Sequence, residues 1–277
     1  MPTEAFTDVL FAETNGIATI TINRPEVHNA FRERTIEELT LAFEMANCID
    51  SVGVIVLTGA GDQAFCTGGD VMAEQKLDRS SGQKMFAKAM HLSTEMRNGG
   101  KPIIAAVRGY CIGGGNELNL QCDLTIAADN AVFGHAGPRV GSAPLWWGTQ
   151  LLPRLVGDKR AREIIYLCRQ YRAEEAERMG WVNRVVPLAE LDQEVQRWAG
   201  ELLAKSPQAL RIARVSLNFE SDQSYASVLH GGQLINLVQA SEEFKEGMTA
   251  FLERRKPDFE RFRRGASWPI DEGPSGR

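Results

Sequence analysis

Twice in this chain a short, largely β-branched run ends in a glycine-rich turn that opens into a helix: "VIVLTGAGDQAFCTGGD" (residues 54–70) and "IIAAVRGYCIGGGNELN" (103–119). Apolar runs of this length read as strands buried on both faces. A strand handed through glycines to a helix is the repeating piece of a parallel α/β sheet. Such a turn also leaves N–H groups at the helix start with no acceptor inside the helix. Two of them aimed at one point would place two backbone donors on one oxygen as it becomes negative. A phosphate loop is excluded, because GxxxxGK[ST] is absent and "GYCIGGGNE" does not keep the GxGxxG register. Spacing alone leaves a second role open for these glycines, that of letting helix and sheet pack closely.

The remaining segments extend the alternation. "GIATITINRPE" (16–26) alternates like a strand and stops at Pro25. Residues 33–47, 83–97 and 158–169 carry apolar side chains at helical spacing. Residues 124–134 read as a strand pair or a strand and turn, and 173–187 as a helix closed by Gly180 with a short strand after it. From 190 to about 261 the pattern is almost wholly helical, broken at Ser206-Pro207. The expected organisation is an α/β core over 1–205, a helical region over 206–264, and a disordered Gly/Pro/Ser-rich tail over 265–277. No clean internal repeat is present.

Composition narrows the function. With 43% hydrophobic and 24% charged residues the chain can bury a sizeable core, and its net charge of -5 argues against nucleic acid as the main partner. Five cysteines, an odd number with no CxxC pair, read mostly as buried free thiols of a reducing compartment. No apolar run approaches a membrane span, and "MPTEAFTDVLF" lacks the pattern of a signal peptide, so a cytoplasmic protein with no membrane partner is expected.

"FCTGGD", followed about forty residues later by "RGYCIGGGNELNLQCDLTIAAD", resembles the crotonase (enoyl-CoA hydratase/isomerase) superfamily. The resemblance runs from "INRPEVHNAF" to "KEGMTAFLERRKPDF". The stretches "VGDKRAREIIYLCRQY", "FGHAGPRVGS" and "RRKPDF" look nearest to dihydroxynaphthoyl-CoA synthase and 2-ketocyclohexanecarboxyl-CoA hydrolase. The resemblance implies an α/β fold with a ββα spiral core and a C-terminal helical trimerisation region. It implies an acyl-CoA thioester as substrate, with coenzyme A brought in as part of it, no tightly bound cofactor and no metal. It also implies a homotrimer or homohexamer.

Carried over by motif position, the amides of Gly69 and Gly114 would hold the thioester oxygen while an enolate forms. Glu117 matches one of two glutamates that place water across a conjugated double bond. The second would fall at Gly137, so the ordinary two-carboxylate arrangement is broken. In the naphthoyl branch a glycine there accompanies a bound bicarbonate. Its supports are partly replaced, with His135 and Ile165 at two of them, Pro144 in place of an aspartate and a tyrosine lost near Gln239. His135, beside the missing acid and of a residue type that titrates near neutrality, and Ser142 are further catalytic candidates. Each also has an ordinary structural reading, a buried histidine and a turn residue after Gly141; for Glu117 that reading is an acid stabilised at a helix start.

The resemblance assigns Arg24, Val27, His28 and Ala30 in "NRPEVHNAF", Thr67, Asp70 and Gly137, and Lys256 in "RRKPDF" to CoA or acyl binding. The adjacent Trp146 and Trp147 would wall an acyl pocket for a ring or lie at a trimer interface. Asp123 reads as structural. Hydration or isomerisation of a bulky or cyclic enoyl-CoA is the favoured chemistry. Carbon–carbon bond formation or ring cleavage is the alternative, and a non-catalytic CoA- or RNA-binding homologue is the alternative of another class.

Overall fold

The structure is a computed structural model that describes residues 6–239 and 241–263; the expected disordered tail lies outside the described residues. Among the described residues ten strands form two sheets. The larger has the order β1 (Val9–Thr14), β2 (Ile17–Ile22), β3 (Val54–Gly59), β5 (Ile103–Val107), β7 (Leu124–Ala128) and β10 (Arg184–Val186). The smaller has β4 (Ala64–Cys66), β6 (Tyr110–Ile112), β8 (Val132–Gly134) and β9 (Gln170–Arg172). Every pairing is parallel except β1 with β2 and β8 with β9. Three times the chain runs one strand in the large sheet and then a short strand in the small one: β3 to β4, β5 to β6, β7 to β8. This is the ββα spiral expected from the resemblance. The repeat lies in the architecture and leaves no repeated sequence, because each turn packs against different neighbours.

The strand β1 was not among those expected. Its signal is Asn15-Gly16, whose φ values of +53° and +83° close a two-residue hairpin onto β2. Alternation along the middle strands divides the core in two. Ile55, Leu57, Ile103, Ala105, Val107 and Ala127 face one way, into the main cluster with Ile36, Leu39, Phe43 and Leu92. Val54, Val56, Ile104, Ala106, Ile126 and Ala128 face the other way, against Leu191, Val195 and Ala199. Both faces are therefore covered, which is why these strands read as continuous apolar runs and not as alternating ones.

The helices are α1 (Glu33–Cys48), α2 (Val71–Glu74), α3 (Arg79–Asn98), α4 (Gly114–Gln121), α5 (Gly148–Val156), α6 (Asp158–Leu167), α7 (Ala173–Arg178), α8 (Leu191–Leu203), α9 (Pro207–Asp222), α10 (Tyr225–Gln239), α11 (Glu242–Leu252) and α12 (Glu260–Arg263). Pro207 stands at the first position of α9, and Ser206 caps it by accepting from the Ala209 amide. The buried Arg214 of α9 pairs with Asp123 at 2.7 Å and donates to the Arg97 carbonyl at 2.9 Å. Asp123 also accepts from the Ile103 amide at 2.7 Å. It thus ties α9 to the start of β5, a longer reach than the local backbone bond its position in "QCDL" suggested. Among the described residues no helix is long and apolar enough to cross a membrane. Cys66, Cys111 and Cys168 are buried free thiols, while Cys48 is exposed.

Candidate active site

The two glycine turns abut. Phe31 stitches the first in place: its amide donates to the Gly68 carbonyl and its carbonyl accepts from the Asp70 amide, both at 2.8 Å. Gly69, between them, keeps its N–H off that ladder. In the second turn the Gly113 amide donates to the Gly134 carbonyl at 3.0 Å, and Gly114 starts α4. A Cβ built on Gly68 would lie 2.9 Å from the Gly114 nitrogen. Among the described residues neither the Gly69 nor the Gly114 N–H has a protein acceptor.

The glycines themselves are largely explained by packing. Gly113 has φ +58° and ψ -126°, a region closed to residues with a Cβ. A Cβ on Gly114 would meet the Phe31 ring at 2.6 Å, and one on Gly115 the Cys66 carbonyl at 2.0 Å. Close approach of helix to sheet, the second role left open by the spacing, accounts for these two. The free N–H groups are a consequence of the same turn.

Beside the turns lies a cavity of about 600 Å³, within the size range of small-molecule sites. Glu117, on the first turn of α4, is buried and lines it. Its Oε1 accepts from the Trp146 amide at 2.8 Å and the Gly148 amide at 3.3 Å. Trp147 makes this possible: at φ +69° it turns the chain so that the amides on either side of it point the same way. Burial pushes the Glu117 carboxyl up to about 8, against the pull of the two amides, and Glu74 nearby raises it further.

His135 is also buried and lines the cavity. Its ionisation is the opposite of what the residue type suggests. Burial lowers it to about 4, so the ring is neutral and is no general acid–base group near pH 7. Its tautomer follows from its neighbours. The Trp181 Nε1–H can only donate, and it donates to Asn116 Oδ1 at 3.1 Å. That orients the Asn116 amide, whose Nδ2 lies 3.0 Å from His135 Nε2. Nε2 must accept, so the proton sits on Nδ1, which has no partner among the described residues.

The other expected residues divide into two groups. Val27, His28, Ala30, Thr67 and Asp70 line the cavity, as do Gly137, Ser142 and Trp146. Trp146 stacks edge-on against Phe31, with centroids 5.9 Å apart, and donates from Nε1 to Ser93 Oγ at 2.7 Å. Arg24, Trp147 and Lys256 do not line it. Arg24 is buried and committed, donating to the Ala30 carbonyl at 2.6 Å and to Asp70 at 2.9 Å. It holds the two loops together and has no free face for a phosphate. Trp147 is turned into the core, with the Arg97 guanidinium 4.4 Å above its ring, because its backbone must aim two amides at Glu117. Lys256 lies in a neighbouring depression that shares Arg139, Val140 and Phe251 with the cavity.

Several lining residues were not anticipated. Glu74 closes α2, and burial together with the charge of Asp70 pushes its carboxyl up to about 7. Nothing in "DVMAEQ" marks it, since its placement depends on α2 folding back over the first turn. Gln239 reaches the cavity from α10, at the place where the resemblance expected a tyrosine.

The profile of the enoyl-CoA hydratase/isomerase family matches residues 12–262. Among similar solved structures, the enoyl-CoA hydratase subunit I of Geobacillus kaustophilus HTA426 is 38% identical, with a TM-score of 0.73 over 92% of this chain and 98% of that one. An enoyl-CoA hydratase/isomerase of Xanthobacter autotrophicus Py2 is 30% identical, with a TM-score of 0.82 over 91% and 98%. An enoyl-CoA hydratase of Mycobacterium avium subsp. paratuberculosis K-10 is 26% identical, with a TM-score of 0.83 over 92% and 99%.

Proposed function

Since this chain belongs to the enoyl-CoA hydratase/isomerase family of acyl-CoA enzymes, we propose that it hydrates or isomerises an enoyl-CoA whose acyl group is bulky or cyclic. The observation that carries this reading is the pair of unused N–H groups, on Gly69 and Gly114, in two abutting turns beside a cavity that Glu117 lines. The thioester carbonyl oxygen accepts from both amides. As C2 gains carbanion character, charge collects on that oxygen, and each donor of such a hole contributes about 2.7–4 kcal/mol to the transition state. Glu117 handles the water or the migrating proton. Two amides on Oε1 fix its carboxyl, and Oε2 accepts no hydrogen bond from a described residue.

Trp146 and Phe31 offer an apolar wall suited to a ring. Ser142 and His135 line the cavity with Gly137, and the serine hydroxyl and the unpartnered Nδ1–H suit an acyl oxygen. CoA would run past Val27, His28 and Ala30 toward Lys256. The apolar side chains exposed on α9 and α10, among them Ile212, Val215, Leu217, Phe219 and Leu237, support a trimer or hexamer.

Carbon–carbon chemistry of the naphthoyl or ketocyclohexane type is less well supported, because Pro144 and Gln239 stand where those branches carry an aspartate and a tyrosine. The residues around Gly137 do not make a cradle for bicarbonate. A Cβ there would already lie 3.0 Å from the Ser142 and Ala143 backbone, His135 is neutral, and Arg139 donates to the Cys168 carbonyl. No step is routed through that anion.

The test is turnover of linear and cyclic enoyl- and ketoacyl-CoA esters by wild type and Glu117→Gln, beside nucleic-acid binding by wild type. A loss of at least about a hundredfold in kcat is expected for the variant. Equal rates would remove Glu117 from the chemistry. RNA binding without turnover would favour the non-catalytic reading.

A further inference from the structure

We propose that Glu74 is the second proton-carrying carboxyl of this site and that it serves C2 of the acyl group, the task that position 137 has no acid to perform. The proposal rests on the enolate chemistry proposed above and adds a residue to it.

Three observations place Glu74 there. The first is position. A Cβ on Gly69 would lie 1.8 Å from Glu74 Oε1 and 2.4 Å from its Cδ, so the carboxyl lies directly over Gly69. Gly69 carries one of the two amides proposed to hold the thioester oxygen, and C2 is the carbon next to that carbonyl. The second is fixation of the backbone. Asp70 caps α2 by accepting from the Met72 and Ala73 amides at 3.0 and 3.3 Å, and the Glu74 amide donates to the Asp70 carbonyl at 2.8 Å. The third is the lack of a structural use. Asp70 is held by Arg24 and Glu117 by two amides, whereas the Glu74 carboxyl has no hydrogen bond or ion pair among the described residues. A half-buried acid kept without a partner costs stability, and such groups are characteristic of reactive sites.

Asp70 on its own turn and Glu117 on α4 are the charged groups coupled to Glu74, and His28, Tyr110, His135 and Arg139 line the same cavity. Arg24 is committed to Asp70. Burial and acidic neighbours raise both carboxyls, to about 7 for Glu74 beside Asp70 and to about 8 for Glu117 beside Glu74, so a singly protonated pair forms between those values.

Glu74 has the lower value of the two, so the singly protonated pair holds its proton mainly on Glu117; hydration proceeds from the form with the proton on Glu74, in which Glu117 as carboxylate takes a proton from water as the water oxygen bonds to C3. The C2–C3 π pair moves toward C2 and the thioester oxygen. Protonated Glu74 then gives its proton to C2, and the enolate pair closes the new C–H bond. Hydroxyl ends on C3 and hydrogen on C2, and the two carboxyls have exchanged protonation states. A proton passing back from Glu117 to Glu74 restores the start.

The test is exchange of the C2 protons of butyryl-CoA, a saturated probe that cannot be hydrated, in D₂O with the full-length protein. Wild type should exchange them. Glu74→Gln should exchange them at least about a hundredfold more slowly, the scale of a lost acid–base group. Its butyryl-CoA affinity should stay within about threefold and its melting curve should be intact, with part of the rate restored in Glu74→Asp. Glu117→Gln should lose hydration. Exchange by Glu74→Gln at the wild-type rate overturns the role of Glu74 and leaves the enoyl-CoA reading standing. Absence of exchange in wild type overturns it too, whereas a wild type that exchanges but neither hydrates nor isomerises any enoyl-CoA counts against the parent reading alone.

Discussion

Glu117 Oε1 accepts a hydrogen bond from the Trp146 amide at 2.8 Å, and a second, from Gly148, reaches the same atom at 3.3 Å. An acid on α4 is thereby anchored to the start of α5, and the left-handed turn at Trp147 exists to bring the two amides together. A Cβ on Gly148 would lie 2.9 Å from Glu117 Oε1 and 2.9 Å from the Pro144 Cβ. Gly148→Ala therefore has to move the carboxyl. The expected result is a fall in kcat of at least about tenfold, the cost of an acid–base group shifted off its geometry, with butyryl-CoA affinity nearly unchanged. Steady-state kinetics beside a binding titration reads both.

The ionisation of Glu117 should appear in stability. Its folded value lies near 8, above the ordinary 4.5, because burial disfavours the carboxylate. A raised value means that the fold prefers the protonated form. The associated stability is complete below about pH 4.5 and drains away as pH rises through 8. Glu74 acts in the same direction up to about 7. Glu117→Gln cannot ionise and keeps an oxygen for the two amides. Its melting temperature should match wild type near pH 4.5 and exceed it by at least about 2–4 °C at pH 9, which corresponds to roughly 1 kcal/mol in a chain of this size. A constant offset across that range would contradict the assigned burial.

His135 should not titrate between pH 8 and 5, since its folded value is near 4. Two-bond ¹H–¹⁵N correlation spectra should show the Nδ1-protonated tautomer, the form imposed by Trp181 through Asn116. Replacing Asn116 by Asp removes the donor to Nε2 and should raise the histidine value, since a carboxylate beside an imidazole favours its charged form. A wild-type midpoint near 6.5 would be incompatible with the buried relay.

The two tryptophans should separate cleanly. Trp147→Ala empties a fully buried position beneath Arg97 and should cost about 3–5 kcal/mol, the range for large aromatic truncations. Trp146→Phe keeps most of the ring but loses the bond to Ser93 Oγ. Its effect should fall on acyl preference, shifting relative kcat/KM between linear and cyclic esters by several-fold while the melting temperature changes little. Denaturant unfolding and a substrate panel distinguish the two outcomes.

Arg24→Ala distinguishes a residue that joins two loops from a phosphate ligand. A phosphate ligand would lose CoA affinity uniformly across esters. The committed Arg24 should instead loosen the joint between the Ala30 carbonyl and Asp70, with lower stability and faster hydrogen exchange at residues 28–31 and 67–70. Exchange mass spectrometry with a CoA titration checks both.

Much of this molecule is written locally. The strands β3, β5 and β7 show themselves as apolar runs because a parallel sheet covered on both faces demands it. The turns at Gly69 and Gly114 are visible because a strand-to-helix corner with positive φ and close neighbours admits little but glycine. Asn15-Gly16 carried the hairpin of β1 in two letters. Glu117 was legible as an acid on the first turn of a helix behind those glycines.

What stayed hidden depends on residues far apart in the chain. Glu74 matters because α2 folds back over Gly69, and Arg24 is taken because Asp70 arrives beside it. The tautomer of His135 is decided by Trp181, on a segment beyond α7. The order of residues determines which backbone turns form and which groups can ionise, since those follow from each residue and its near neighbours. Only the packed structure determines which of those groups lose water and which find a partner, because desolvation and hydrogen bonding are set by whatever the fold brings within a few ångströms.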